Sequence, residues 1–115
     1  MIQEGKIVLF RFPQTNQSKG KLRPALVLRK LPGKYNDWLI CMISMQLSQK
    51  VDGLDELIKS DDKDFNESGL KSSSLFRISR LAVVEQNIFE GIIGEISTQR
   101  LSKIIGSLID WIKGI

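Results

Sequence analysis

The chain has 115 residues, a formal net charge of +4, 42% hydrophobic residues and no histidine. That length suits one domain, taken as residues 1–115, and the lack of imidazole excludes the commonest general acid–base and transition-metal ligand. Cys41 is the single cysteine, so an intrachain disulfide and a zinc cluster are both excluded.

No basic-plus-apolar leader opens the sequence, and no apolar run nears the ~18 residues of a membrane span. The expectation is a cytoplasmic protein with no membrane association and no cofactor. The positive charge biases it modestly toward anionic partners, nucleic acid being the usual one.

Residues 6–12, "KIVLFRF", read as a first strand. Val8, Phe10 and Phe12 share one face, and Ile7 and Leu9 share the other with Arg11, so the sheet should be closed or covered. A polar loop from Pro13 to Lys21 follows, with Gly20 as its permissive residue. "PALVLRK" is a second strand, rich in residues that suit a pleated surface. A Pro-Gly turn separates it from a third, Trp38–Ser44.

Residues 45–74 are polar and aperiodic and read as an excursion over the surface, with one short strand near Leu54–Lys59. Leu75–Val84 is the next strand, and "GIIGEIS" a short last one. Leu101, Ile104, Ile105, Leu108, Ile109 and Ile112 then recur on one stripe of an α-helix. Ser97 or Thr98 would cap that helix and Gly114 would end it. Trp111, at the stripe's edge, belongs either to the core margin or to a partner surface. The sum is a mostly β fold, a small barrel with a C-terminal α-helix packed on it.

Three residues could carry chemistry. Arg23 directly precedes Pro24, which stiffens its backbone, and a guanidinium on a stiff mount suits bidentate phosphate binding. Such a cation would also stabilise the charge that gathers on a phosphodiester in its transition state; the plainer reading is a surface cation at a strand start. Arg77 lies within an apolar strand, with Ser79, Leu75 and Leu81 on the same face by alternation. A cation there is paired, snorkels to the rim or is functional. Ser44 ends the third strand, where its hydroxyl can bond a phosphate or cap local backbone.

The stretch "GKIVLFRFPQTNQSKGKLRPALVL" resembles the opening of the MazF/PemK/Kid family of toxin endoribonucleases through Gly5, Phe12, Pro13, Arg23, Pro24, Leu26, Val27 and Leu28. "CMIS", "SGLKSSSLFRISRLAVV" and "GIIGEISTQRLSKIIGSLIDWI" extend the likeness over nearly the whole chain. The resemblance implies an SH3-like barrel, usually a homodimer. It implies metal-independent cleavage of single-stranded RNA by the ribose 2′-hydroxyl, leaving 2′,3′-cyclic phosphate and 5′-hydroxyl ends. It also implies a cognate antitoxin protein, through which alone DNA would be met.

Carried over position by position, Arg23 matches the family's active-site arginine. Ser44 stands where a threonine is usual, and Arg77 matches an arginine of the Kid/PemK branch; these three are the catalytic candidates. Gln14, Thr15, Lys19, Lys21, Gln46 and Ser79 are the RNA-binding candidates. The chain departs from that branch at Ser79, where an aspartate is usual, so no proton acceptor is assigned and a carboxylate restored at 79 should speed cleavage. A non-catalytic SH3-like module binding RNA or protein, or a CcdB-like gyrase-targeting toxin, would use the same architecture.

Overall fold

The computed structural model describes residues 1–11 and 20–115. Its strands are β1 (Lys6–Arg11), β2 (Leu22–Lys30), β3 (Asp37–Ser44), β4 (Glu56–Ile58), β5 (Ser74–Glu85) and β6 (Gly91–Glu95). They form one antiparallel sheet in the order β4-β5-β3-β2-β1-β6. The helices are the single turn α1 (Phe65–Ser68) and α2 (Thr98–Lys113). This is the mostly β architecture with a terminal helix that the sequence indicates: a curled half-barrel, open between β4 and β6.

Both faces of the sheet carry a core, which is why β1 is apolar on both sides. Ile7, Leu26, Cys41, Ile43, Phe76 and Ile78 pack inside the curl with Ile104 and Leu108 of α2. Val8, Phe10, Ala25, Val27, Trp38 and Ile40 form a second cluster on the outer face. Phe12, which would extend β1, lies outside the described residues.

The polar stretch 45–74 is not a mere surface excursion. It contributes β4, α1 and the buried Asp55, Ile58, Phe65 and Ser68, adding β4 at one sheet edge and setting α1 against β6 at the other before it returns to β5. Its apolar residues escape a periodicity search because turns, rather than one long element, deliver them. At the far edge, the backbones of α1 and β6 touch. A Cβ on Gly94 would collide with the main chain of Glu67 and Ser68, and one on Gly69 would collide with Ile93. Gly69 also sits at φ 71°, in the left-handed region that ends α1.

Helix α2 begins as the sequence indicates, with the Ser97 hydroxyl accepting from the Arg100 backbone N–H at 3.1 Å. Gly114, at φ 79°, ends it. Burial stops early, however: Ile104 and Leu108 are buried, whereas Ile112 is 67% and Trp111 61% exposed. The last turns of the helix run past the core, so Trp111 belongs to a surface rather than to the core margin.

Arg100, in the first turn of α2, ties the helix to the 56–64 segment. It donates to Asp64 at 2.8 and 3.0 Å, and to Glu56, Asp62 and the Leu57 carbonyl at 3.0 Å each. The hydrogen bonds and charge of Arg100 hold the Asp64 carboxyl down at about 2, against burial that would raise it. The ordinary value is 3.8, so this link contributes fully above that pH and is lost as the pH falls toward about 2. Urea unfolding midpoints across that range should fall for the wild type. Asp64→Asn should be less stable by on the order of 2 kcal/mol at neutral pH and should lose less on acidification.

Candidate functional site

Strand β2 begins earlier than its sequence suggests, so Arg23 and Pro24 both lie within it, opposite Phe10 and Leu9 of β1. The ladder to β3 starts only at Ala25, opposite Met42. At Pro24 the strand is therefore paired on one side, which accommodates a residue with no N–H to donate. Arg23 is exposed and makes no hydrogen bond or ion pair with the described residues.

Directly paired residues of an antiparallel sheet project from the same face. Ala25, Met42 and Arg77 form one such row across β2, β3 and β5. Arg23 is two residues from Ala25, and Ser44 two from Met42, so Arg23, Ser44 and Arg77 share the outer face. Neighbouring strands are ~4.8 Å apart, which separates the strands of Arg23 and Arg77 by about 10 Å.

Arg77 is held rather than free. Its Nε donates to Asp55 at 3.1 Å, its Nη1 to Gln49 Oε1 at 2.8 Å and its Nη2 to the Ser79 hydroxyl at 3.4 Å. Its side chain is only 12% exposed and that of Asp55 is 0%, so the paired reading of an in-strand arginine is the one observed. Asp55 also accepts from the backbone N–H of Val51 at 2.9 Å, and from the backbone N–H and hydroxyl of Ser79 at 3.0 Å each. Burial pushes its carboxyl up, but the Val51 and Ser79 hydrogen bonds and the Arg77 charge outweigh that and hold it below its ordinary value. The turn that delivers it, 51–55, has Gly53 at φ 80° and is closed by the Asp55 N–H donating to the Val51 carbonyl at 2.9 Å.

A register shift brings Ser79 to this carboxylate. As β3 advances one residue from Cys41 to Met42, its partner on β5 moves from Leu81 to Arg77, leaving residues 78–80 without a ladder partner. An odd insertion reverses the facing, so Leu81 lies on the face opposite Arg77, contrary to simple alternation. Ile78 turns into the core, and Ser79 stays with Arg77.

Ser44 takes the local capping role: its hydroxyl accepts from the Gln46 N–H at 3.1 Å, and it lies 3.5 Å from Gln49 Oε1. Gln49 in turn donates to Gln46 Oε1 at 2.7 Å. Thus Ser44, Gln46, Arg77 and Ser79 belong to one network, together with Gln49 and Asp55, which the sequence reading missed. No periodic signal marks those two, although "VDGLD" does announce a turn that could deliver an acid. Lys21 is exposed beside β2, and Gln14, Thr15 and Lys19 lie outside the described residues. Among the described residues no group of three or more His, Cys, Asp or Glu could hold a metal ion. Cys41 is buried, and burial pushes its thiol far up, so it is no nucleophile.

This face can present two guanidinium groups, one of them rigidly held, and a hydroxyl, with Arg23 and Ser44 level with each other and Arg77 two residues along the sheet from them. The family of PemK-like, MazF-like toxins of type II toxin–antitoxin systems matches residues 3–112. A match over that share of the chain shows that this protein belongs to the family, and membership implies an antitoxin as its partner. No curated protein matches it. Among the described residues, no helix is long and apolar enough to cross a membrane.

Asp55 also changes what a carboxylate at position 79 would meet. The Ser79 hydroxyl is 3.0 and 3.1 Å from the two Asp55 oxygens, so Ser79→Asp would set a second carboxylate against the first. We expect that variant to be destabilised by about 1–3 kcal/mol, read as a lower denaturant midpoint. Asp55→Asn/Ser79→Asp, which keeps one carboxylate, should recover part of that loss.

Proposed function

We propose that this toxin is a metal-independent endoribonuclease acting on single-stranded RNA in the cytoplasm, with Arg23, Ser44 and Arg77 as its catalytic residues. The observation that carries the reading is the placement of these three on one face of three neighbouring strands. Arg23 is free to grip a phosphate, and Arg77 is braced from behind by a buried carboxylate. Attack of a ribose 2′-hydroxyl on the adjacent phosphorus gathers negative charge on the non-bridging oxygens. Fixed guanidinium donors stabilise that charge more than they stabilise the ground state. Lys21, with Gln14, Thr15 and Lys19 of the polar stretch that precedes it in the sequence, would hold the flanking strand by charge and hydrogen bonds.

Purified protein incubated with RNA in EDTA should give products with 2′,3′-cyclic phosphate and 5′-hydroxyl ends. Arg23→Ala should lower cleavage at least ~100-fold with an unchanged circular dichroism spectrum, because its side chain has no hydrogen-bond or ion-pair partner among the described residues. Cleavage at the wild-type rate by Arg23→Ala would remove it from the site, and RNA bound but never cut would make the protein a binding module.

The working unit we propose is a homodimer. The exposed apolar end of α2, with Ile109, Trp111 and Ile112, and Ile115 just beyond it, leaves surface suited to association. Light scattering at micromolar concentration should give twice the chain mass, and a monomer there would exclude the homodimer.

A further inference from the structure

We propose that Asp55 is the positioning residue of this face, fixing Arg77 and, through Gln49, the amide polarity of Gln46, so that the network offers its ligand hydrogen-bond donors and takes an acceptor oxygen. The inference deepens the RNA-cleaving reading and rests on it for the nature of the ligand.

The polarity follows from a chain of forced choices. Asp55 is a buried acceptor, and it orients Arg77 through Nε at 3.1 Å. An arginine has donors only, so the Gln49 atom 2.8 Å from Nη1 must be its carbonyl oxygen. The Gln49 amide nitrogen is then the donor to Gln46, at 2.7 Å, and it must meet the Gln46 carbonyl oxygen. That leaves the Gln46 NH₂ group, on an exposed side chain with no partner among the described residues, facing outward. In an ordinary surface glutamine the two ends of the amide interchange freely; here a carboxylate several bonds away decides which end is presented. The oxygen to which it would donate belongs either to a phosphate or to a base carbonyl such as uracil O4.

Asp55 is a positioning residue and not the proton acceptor. Its side chain is wholly buried, and its two oxygens already accept from Val51, Arg77 and Ser79. It acts by removing the freedom of Arg77 before the ligand arrives.

The test uses side-chain NMR of the full chain. In the wild type, the Arg77 Nε–H signal should exchange slowly with solvent and the Arg23 Nε–H signal rapidly, a contrast that needs no variant. Equal, rapid exchange at both would overturn the proposal. In Asp55→Asn the Arg77 protection should drop at least tenfold; protection unchanged in a folded variant would overturn it too. Titration with uncleavable 2′-O-methyl oligonucleotides then reads the Gln46 NH₂ signals directly. A shift with oligouridine but not oligocytidine identifies uracil O4, an equal shift that an abasic 2′-O-methyl strand also gives identifies phosphate, an equal shift that the abasic strand lacks identifies the shared pyrimidine O2, and no shift with any strand overturns the donor-presenting role. Gln46→Glu, which replaces the NH₂ with an acceptor, should weaken binding of the same oligonucleotides at least tenfold, and binding within twofold of the wild type would also overturn that role. Failure of the protein to cut RNA would leave these readings intact and count only against the nuclease.

Discussion

A buried carboxylate with three sets of donors around it organises this molecule's outer face. Asp55 comes from a turn, Arg77 and Ser79 from the irregular part of β5, and Val51 from the turn's own start. A lone charge in that setting would be costly; with a guanidinium and several N–H and O–H donors it is held firmly in its ionised form. The same contacts dock the polar 45–56 segment onto the sheet and remove the rotational freedom of Arg77. Packing and readiness for a ligand therefore depend on one cluster.

A second charged cluster, around Arg100, does a different job. It lies across the 56–64 segment and the start of α2, with its guanidinium committed to three acids and a carbonyl. Nothing on Arg100 is left over for a ligand, whereas Arg23 has every donor free of the described residues. Two arginines of one chain thus differ in role through their partners, since the guanidinium itself is charged in both. The division suits a small basic toxin, in which helix attachment and ligand grip must not compete for the same cation.

Departures from regular strand geometry make the face usable. If β5 kept a strict period of two, Ser79 would belong to the ladder and the strand would pair evenly along β3. The three unpaired residues 78–80 instead let Ile78 serve the core while Ser79 reaches Asp55. Pro24 has a similar effect on β2, since the ladder to β3 begins only after it. The result is a strand end with an arginine on it and, among the described residues, no ladder partner on that side.

Much of this architecture was legible in the residues. Apolar groups on both faces of β1, β-branched runs bounded by Gly and Pro, and the stripe from Leu101 to Leu108 are local patterns, and local sterics and burial are enough to turn them into strands and a helix. Arg23 and Arg77 were legible as candidates for a related reason: a cation beside a proline, or inside an apolar strand, departs from a pattern. Asp55 and Gln49 depart from no pattern, because an acid or an amide in a polar stretch looks like any solvated residue. Only the folded chain brings Asp55 to Arg77 over 22 residues and Gln49 to it over 28. The face presented by Leu81 and the exposure of Trp111 were likewise settled by tertiary structure, one through an odd register shift and the other by where the core ends. Sequence determines which residues can be apolar, extended or charged; which charges meet depends on contacts between distant segments, and these exist only once the sheet has curled.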